Sequence, residues 1–435
     1  MRSSHPFTRP DPSRRPRLAL DVRGAGPLVA LVVAASCAAA ACGGNQTSSS
    51  PKRTASPSVR RQRSEPAPGR LVALGEMRTV AGGGEELGDG GPATAAGFCE
   101  ATDVALDRHG DIYIADAGLY CQGPGANSVR KVDTRGIVTT VAGGTGVVGF
   151  GGDGGPATKA LLNAPVAVAV DTDDNLYISD SDNFRIRKVD PTGTITTVAG
   201  TGRPGHSGDG GRATAARLMG PSGIAVDARG NLYVADFAAV RKIDRSGRIT
   251  TIAGTGQWLH KPDPEHAEIG PRTRFSGEHQ RATDAVLTAD DVAIDRRGNL
   301  YIADNAGDRV YRVNREGRIT TVAGSVSGKG TRLGDGGPAT SAFIDVAAAV
   351  AVDPRGNVLI ADHHGERVRK VDAHGTITTI AGTGRKGASA ERGPATKLNL
   401  NDPNGLAVDR AGTVYVADLF NARIRAVRYQ PARRP

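Results

Sequence analysis

A chain of 435 residues with 59 glycines, 38% hydrophobic and only 4% aromatic residues is typical of a large, turn-dense β domain with a core of Val, Ile, Leu and Ala. The net charge of +10 would suit a nucleic-acid ligand, but residues 1–70 hold twelve Lys or Arg against three Asp or Glu and so carry nine of these charges. The rest of the chain is nearly neutral, which argues against binding to a phosphate backbone.

The N-terminus has the organisation of a targeting segment. An Arg-rich start leads into GPLVALVVAASCAAAAC at residues 26–42, which is shorter than the roughly 20 apolar residues of a membrane-spanning helix. Small residues precede Cys42, so residues 1–42 are predicted to be a signal peptide with a sequence that resembles a bacterial lipobox, and Cys42 is the predicted lipidation site. Cys37 is an alternative processing site. An ordinary cleaved signal peptide that releases a secreted protein is the alternative to a lipid anchor.

Residues 43–70 are rich in Ser, Pro and Arg and contain almost no apolar residues. Such a segment cannot bury enough surface to fold, so we expect a disordered tether. The predicted organisation is a signal peptide, a tether and one folded domain at residues 71–435, held by a lipid at the extracytoplasmic face of the cell membrane.

From residue 71 onward the sequence repeats. Segments similar to DARGNLYVAD are each preceded by an alternating apolar stretch such as VAVAVD and followed by a stretch such as RIRKVD and then ITTVAG. The six segments occupy residues 107–116, 171–180, 227–236, 295–304, 353–362 and 409–418. Each unit offers four short strands, named a to d, joined by turn-forming residues. Repeats of this length with four strands predict an all-β, six-bladed β-propeller with one blade per unit.

The N-terminal strand is predicted to close the ring. The last unit ends at residues 423–427 without an ITTVAG strand, whereas RTVAG at residues 78–82 precedes the first unit. This early strand is expected to serve as strand d of the last blade and to hide the edges that an open sheet would expose.

The repeats resemble NHL repeats. The resemblance is carried by DARGNLYVAD with its downstream RKID, by SDNFRIRKVD, and by the wider pattern of GDGGPAT, VAVD and ITTVAG, and it extends over residues 77–428. The wider pattern is similar to that of a bacterial extracytoplasmic NHL subgroup. The resemblance implies a six-bladed propeller that in most members binds proteins, peptides or nucleic acid, whereas a few similar folds are amidating lyases or lactonases.

Strand order places the loops from strand d to strand a and from b to c on one face, where propellers usually bind ligands. GDGGPAT, in the d-to-a loop, recurs and is interpreted as a structural turn whose Asp caps its own backbone. The Asp that ends strand b and the Arg of strand c also recur and are expected to satisfy backbone groups and each other. Function is therefore expected where single blades depart from the repeat.

Two departures are predicted ligand contacts. The loop at residues 257–283 replaces GDGGPAT with a longer mixed-charge segment; a solvated insertion without a ligand is the alternative. In blade five, HHGE stands where other blades have SDN or NAG. Adjacent His residues on a turn point in different directions, so a metal site made by this pair alone is not expected. The candidate binding residues are Trp258, His260, His266, Phe275, His279, His363 and His364.

Carboxylates are predicted at one mouth of the central tunnel. At the start of strand a, blade one has Asp103 and blade four has Asp290 and Asp291, where other blades have apolar or small residues. One interpretation is a Ca²⁺ site at these three residues, completed by Asn404, Ser222 and backbone carbonyls. The other is carboxylates hydrated in a water-filled tunnel. No other cofactor is predicted.

A disulfide is predicted between Cys99 and Cys121. Cys99 lies in the d-to-a entry of blade one and Cys121 in the b-to-c loop of the same blade, so both belong to one face. Such a bond suits an oxidising extracytoplasmic compartment.

The sequence favours a lipid-anchored, monomeric binding module that takes a protein, peptide or glycan ligand on its loop-rich face and is not an enzyme. The alternative is a Ca²⁺-dependent, lactonase-like hydrolase or lyase that uses the tunnel carboxylates.

Overall fold

The described residues form a propeller of six antiparallel sheets, each built on four strands in sequential order. The predicted all-β, six-bladed fold is confirmed. The computed structural model describes residues 72–85, 88–118, 125–256, 278–325 and 333–429. The predicted signal peptide, Cys42 and the tether lie outside these ranges. The helices within the described ranges are single 3-10 turns, and none has the length or hydropathy to cross a membrane.

The strands are short and follow the predicted order around the ring. In chain order they are β1 (Glu76–Gly82), β2 (Ala101–Leu106), β3 (Ile112–Asp116), β4 (Ser128–Val132), β5 (Val138–Gly143), β6 (Pro165–Val170), β7 (Leu176–Asp180), β8 (Arg185–Val189), β9 (Ile195–Ala199), β10 (Pro221–Val226), β11 (Leu232–Asp236), β12 (Ala239–Ile243), β13 (Ile249–Ala253), β14 (Ala289–Ile294), β15 (Leu300–Asp304), β16 (Arg309–Val313), β17 (Ile319–Ala323), β18 (Ala347–Val352), β19 (Val358–Asp362), β20 (Arg367–Val371), β21 (Ile377–Ala381), β22 (Arg392–Pro394), β23 (Pro403–Val408), β24 (Val414–Asp418) and β25 (Arg423–Arg428). Blades one to five contain β2–β5, β6–β9, β10–β13, β14–β17 and β18–β21, and blade six contains β23–β25 with β1 and β22.

A single 3-10 turn precedes strand a of every blade. These turns are Ala93–Ala95, Ala157–Lys159, Ala213–Ala215, Ala282–Asp284, Ala339–Ser341 and Ala395–Lys397. Two more follow strand b, at Ser181–Asn183 in blade two and Leu419–Asn421 in blade six.

The first Asp of each DARGNLYVAD-like segment fixes the turn between strands a and b. In blade two, Asp171 Oδ1 accepts hydrogen bonds from the backbone N–H groups of Asp173 and Asn175, each at 2.9 Å. Its Oδ2 accepts bonds from Asn175 Nδ2 at 2.8 Å and from the Tyr177 hydroxyl at 3.0 Å. One carboxylate therefore caps the turn and anchors the following strand, which explains why Asp, Asn and Tyr recur together.

The N-terminal strand closes the ring as predicted. β1 pairs antiparallel with β25, with Met77 opposite Val427, and its other edge pairs with β22. Met77 and Ala81 are fully buried; Met77 packs in a cluster with residues of blade five, and Ala81 in a cluster with residues of blade one. The first and last described strands thus share one blade, and the ring has no open junction.

GDGGPAT covers the outer edge of its blade and is not an isolated turn. In blade two, the Gly154 N–H donates to the Ile195 carbonyl at 2.8 Å, and the Ile195 N–H donates to the Gly155 carbonyl at 3.0 Å. The prediction that its Asp caps its own backbone is wrong, because Asp153 accepts a bond from Arg187 Nη2 at 2.7 Å. The motif therefore protects the outer strand from further pairing and balances a buried charge.

The same edge turn exists in blade four, where the sequence predicted its replacement. The His279 N–H donates to the Ile319 carbonyl at 2.9 Å, and the Ile319 N–H donates to the Gln280 carbonyl at 3.1 Å. His279 adopts a φ of 65° at the position that glycine occupies in other copies, and its side chain is exposed. The prediction that residues 257–283 lack the motif is therefore wrong for residues 278–283, which retain only its last two letters.

The repeated Asp and Arg residues pair inside the blades, as predicted. In blade two, Arg187 Nη1 lies 3.1 Å from Asp180 Oδ2, and both side chains are fully buried. Asp180 also accepts a bond from the Asn163 N–H at 2.8 Å, which fastens the entry to strand a. Blade four departs because Tyr311 occupies the Arg position. The fully buried Arg residues are Arg130, Arg187, Arg241, Arg369 and Arg425.

Candidate functional site

One end of the ring brings together the parts of the chain that differ between blades. Adjacent strands are antiparallel, so the d-to-a loops and the b-to-c loops lie at the same end of every blade. We call this end the loop-rich face. The starts of the strands a, which are nearest the axis, lie at this face as well.

Two aspartates occupy the same strand position in opposite blades, one and four. The third residue of strand a is Asp, Ala, Gly, Asp, Ala and Gly in blades one to six, so this position repeats after three blades. These residues are Asp103, Ala167, Gly223, Asp291, Ala349 and Gly405. The sixfold repeat of the backbone is therefore reduced to an approximate twofold repeat at the channel.

Each of these aspartates contacts both neighbouring blades. Asp103 Oδ2 accepts a hydrogen bond from the Val168 N–H of blade two at 3.0 Å, and Asp291 Oδ2 accepts one from the Val350 N–H of blade five at 2.9 Å. On the other side, a Cβ on Gly405 of blade six would overlap Oδ1 of Asp103, and the glycine of blade three stands in the same relation to Asp291. The order Asp, Ala, Gly is thus a packing requirement, because the carboxylate needs a glycine beside it.

Burial and like charge make the axial carboxylates hold protons more firmly than ordinary ones. Burial raises the pKa of Asp103 to about 7. Burial, followed by the charge of Asp103, raises the pKa of Asp291 well above its ordinary value. Burial also raises the pKa of Asp290 to about 6, although its Oδ2 accepts a bond from Asn305 Nδ2 at 3.1 Å. Asp103 and Asp291 therefore repel each other when both are ionised.

The calcium site at Asp103, Asp290 and Asp291 stays a prediction. Among the described residues, the group of three His, Cys, Asp or Glu side chains whose ligand atoms lie within 4.8 Å of one another is found elsewhere, between blades five and six. Asn404, a further predicted ligand, donates through Nδ2 to the Thr102 carbonyl at 2.9 Å. The contacts of these residues tie blades together at the channel.

We expect the axial pair to make the propeller less stable as the pH rises. The folded-state pKa of Asp103 lies above its ordinary value of 3.8, so the stabilisation by its protonated form is complete below that pH and is lost as the pH rises through about 7. Asp103→Asn keeps an oxygen for the Val168 N–H and removes the charge. Thermal denaturation at pH 5 and pH 8.5 should show a smaller fall in stability for the variant, by about 1–2 kcal/mol after screening by channel water. An equal fall in both proteins would contradict this account.

A mixed cluster of His, Asp, Glu and Lys side chains lies where blades five and six meet. His363 follows β19, is 7% exposed, and its Nδ1 lies 3.3 Å from the Pro403 carbonyl oxygen. Its Nε2 lies 3.7 Å from Asp402 Oδ1. The exposed His364 is beside it, with the two ring centroids 5.0 Å apart. Burial lowers the pKa of His363 to about 4 despite the nearby Asp402 carboxylate, so the ring is neutral at neutral pH.

Lys386 holds two buried carboxylates of this cluster. Its Nζ lies 3.0 Å from both carboxylate oxygens of Asp402 and 3.6 Å from Glu366 Oε1. Glu366 Oε2 accepts the Asp402 N–H at 2.7 Å, whereas its Oε1 is buried and accepts no hydrogen bond from the described residues. Burial, together with the charge of Asp402, raises the pKa of Glu366 to about 7. Two neighbouring carboxylates thus depend on one half-exposed ammonium group.

Sequence reasoning found His363 and His364 but missed the three residues that complete this cluster. Asp402 stands just before strand a, where other blades have Glu, Ala, Gly, Thr or Val, and Glu366 stands just before strand c. Lys386 belongs to the loop that enters blade six. A position-by-position comparison of the six units would have marked Asp402 as a departure, but only the packed ring shows that it contacts blade five.

Large apolar side chains are exposed mainly on the loop-rich face. Val147, Val148 and Phe150, in the loop that enters blade two, are 58%, 53% and 43% exposed. Met219 and Leu333 are exposed in the loops that enter blades three and five. Apolar surface left uncovered around one face is typical of an interaction site.

The predicted binding residues are only partly within the described ranges. His279 lies on the exposed edge turn of blade four, and the structure brings His363 and His364 together with Asp402. Because Cys121 lies outside the described residues, its disulfide with Cys99 stays a prediction. The role of four further candidates also stays a prediction, because they too lie outside: Trp258, His260, His266 and Phe275.

Known proteins share this repeat. Residues 148–204 and 201–271 match the family described as Teneurin NHL domain. Teneurin-3 of Danio rerio is 32% identical over 356 residues, which cover 74% of this chain and 12% of that protein. Teneurin-1 of Gallus gallus is 31% identical over 307 residues, which cover 62% of this chain and 11% of that protein. The chain thus corresponds to a small part of these relatives.

Solved structures share the architecture. A protein of unknown function from Bacteroides thetaiotaomicron superposes with a TM-score of 0.55 at 18% identity, with 81% of this chain and 75% of that chain covered. An auxiliary nutrient binding protein from the same organism has a TM-score of 0.55 at 16% identity, with 81% of this chain and 76% of that chain covered. At these identities the likeness shows the fold alone. The repeated segments, the six four-stranded blades and the matched Teneurin NHL domain together identify the described part of this chain as an NHL-repeat β-propeller.

Proposed function

We propose that this propeller is a monomeric binding module at the extracytoplasmic face of the cell membrane, tethered by a lipid on Cys42, and that its loop-rich face takes a protein, peptide or glycan ligand. The observation that carries the proposal is the concentration of exposed large apolar side chains in the d-to-a loops of this face. The fold itself does not assign a function, because propellers serve many.

The repeated polar residues leave the departures as the chemistry available to a ligand. In blade two, Asp171 is occupied by its turn, and Asp180, Asp153 and Arg187 are occupied by one another and by backbone groups. These residues hold the blades. The side chains free to meet a ligand are those that single loops add, such as Val147 and its neighbours.

The chemistry of the face favours a protein or peptide within the proposed ligand class. The exposed apolar side chains provide burial for an apolar ligand segment, and the cluster of blades five and six adds charged groups to the same face. The nearly neutral propeller offers no basic patch for nucleic acid. A structural neighbour named as an auxiliary nutrient binding protein supports a binding role in an envelope setting.

We expect the triple substitution of Val147, Val148 and Phe150 by Ser to abolish ligand capture without unfolding the protein, because these side chains are exposed. The measurement is recovery of envelope proteins, peptides and glycans on immobilised full-length protein, with quantification by mass spectrometry. A tenfold or greater loss of specific ligand is expected. Leu74→Ser is the matched control, because Leu74 is 55% exposed but precedes strand d and so lies at the opposite end of the ring. Unchanged capture by the triple variant, or equal loss in the control, would sink the proposal.

A further inference from the structure

The contact between His363 and Asp402 lacks an evident hydrogen atom. The Pro403 carbonyl oxygen only accepts hydrogen bonds, so the Nδ1 atom of His363 at 3.3 Å from it carries the ring proton. The Nε2 atom of the neutral ring then presents a lone pair, and the atom opposite it, at 3.7 Å, is a carboxylate oxygen of Asp402. Two electron-pair donors facing each other in a buried position are stabilised by a cation between them.

The spacing of these donors suits a small tetrahedral ion. Ligand atoms that each lie about 2.0–2.1 Å from a zinc ion are about 3.4 Å from one another in a tetrahedral site. Nε2 of His363 and Oδ1 of Asp402 are 3.7 Å apart, and a nitrogen of His364 completes a group whose atoms all lie within 4.8 Å. A small movement of the exposed His364 ring brings the three donors to that spacing.

The surroundings of the cluster match those of known metal sites in two respects. A ligating His usually donates its other ring N–H to a carbonyl or carboxylate, as the His363 ring does towards Pro403. In addition, Glu366 Oε1 is buried within the cluster and has no hydrogen bond from the described residues, so it is an oxygen that a cation would satisfy. This second observation is independent of the His geometry.

We propose that His363, His364 and Asp402 bind a divalent transition-metal ion of the zinc class, and that Lys386 neutralises the same carboxylates when no metal is bound. Imidazole and carboxylate donors suit zinc and its neighbours, whereas calcium prefers oxygen alone. Three protein ligands leave a fourth position to water or to Glu366 Oε1. The proposal does not depend on the ligand of the loop-rich face.

Lys386 and the metal compete for one place. The ammonium group contacts both oxygens of Asp402 and lies 3.6 Å from Glu366, so a metal must displace it. The Lys386 side chain is 48% exposed, so it is able to swing into solvent, and His364 leaves an open path from solvent to the cluster. Binding should therefore tighten when the ammonium group is removed.

The test is titration of the purified, chelator-stripped full chain with Zn²⁺ alone by isothermal calorimetry, with Co²⁺ absorption as the measure of coordination geometry. We expect one ion per chain, about tenfold or greater weakening by His364→Ala and by Asp402→Asn, and about tenfold or greater tightening by Lys386→Met. His364 is exposed and Asn tolerates the positive φ of Asp402, so both variants should fold. Circular dichroism verifies that they do.

His374→Ala is the matched control, because His374 is an exposed His in the c-to-d turn of blade five, at the opposite end of the ring. It should leave the Zn²⁺ affinity unchanged. The proposal is overturned if neither the unaltered protein nor Lys386→Met binds Zn²⁺, or if His364→Ala and Asp402→Asn bind it as tightly as the unaltered protein. Because no face ligand is present in the titration, failure here leaves the capture experiment unaffected.

Discussion

Replacing Met77 with aspartate is expected to open the ring and to lower the free energy of unfolding by more than about 5 kcal/mol. Met77 is fully buried in β1, lies opposite Val427 of β25 and packs in the apolar cluster shared by blades five and six. The substitution removes this apolar contact and places a carboxylate in a core that offers it no partner. Domains are stable by only about 5–15 kcal/mol, so most molecules should be unfolded or open. Thermal denaturation and limited proteolysis measure the change.

The matched control for this prediction is Leu74→Asp. Leu74 precedes β1 by one residue and is 55% exposed, so the same change of charge three positions away should alter stability by no more than about 0.5 kcal/mol. If Met77→Asp melts at nearly the same temperature as Leu74→Asp, the ring is not held closed by its N-terminal strand.

Arg187→Ala is expected to destabilise the propeller by about 3–5 kcal/mol, because it leaves a buried carboxylate without its cation. Arg187 is fully buried and its two terminal nitrogens bond to Asp180 at 3.1 Å and to Asp153 at 2.7 Å. Burial raises the pKa of Asp180 to about 6 even with the guanidinium present. Removing Arg187 should raise this pKa further, and Asp180 then takes up a proton.

The sign of the pH dependence makes this prediction specific. A carboxyl group whose folded-state pKa is raised stabilises the fold at low pH and loses that contribution as the pH rises. The stability deficit of Arg187→Ala should therefore be smaller at pH 5 than at pH 8, as measured by chemical denaturation. Lys188→Ala is the control, because Lys188 is on the same strand and outside the buried ion pair, and it should cost less than about 1 kcal/mol. A deficit for Arg187→Ala that is small and independent of pH would show that the ion pair is dispensable.

Much of the architecture was predictable because each blade is a local unit. Strands a to d are consecutive in sequence, so alternating apolar residues and a turn such as the one at Asp171 specify each hairpin without distant contacts. Ring closure was predictable by counting, because RTVAG at residues 78–82 had no unit before it and the last unit had no strand d. The pairing of Asp180 with Arg187 followed from their recurrence in most blades.

The candidate site was less predictable because it is made by contacts between blades. Asp402 and His363 belong to different units, and nothing in the local sequence of either one indicates the other. GDGGPAT was misread for the same reason: its Asp153 looked like a turn residue, but it meets Arg187 of a strand that lies later in the chain. Residues 278–283 were misread because a backbone path, and not letter identity, defines the edge turn.

The sequence by itself determined the number of blades, their strand order, the strand that closes the ring and the face on which the blades differ, because these depend on periodicity along the chain. Only the tertiary structure decided which departures meet. It placed Asp103 and Asp291 in opposite blades with a glycine beside each, and it joined His363 to Asp402 and Lys386 across a blade junction. The physical reason is that hydrogen bonds and charges act over a few ångströms in space, whereas the repeat records only neighbours in sequence.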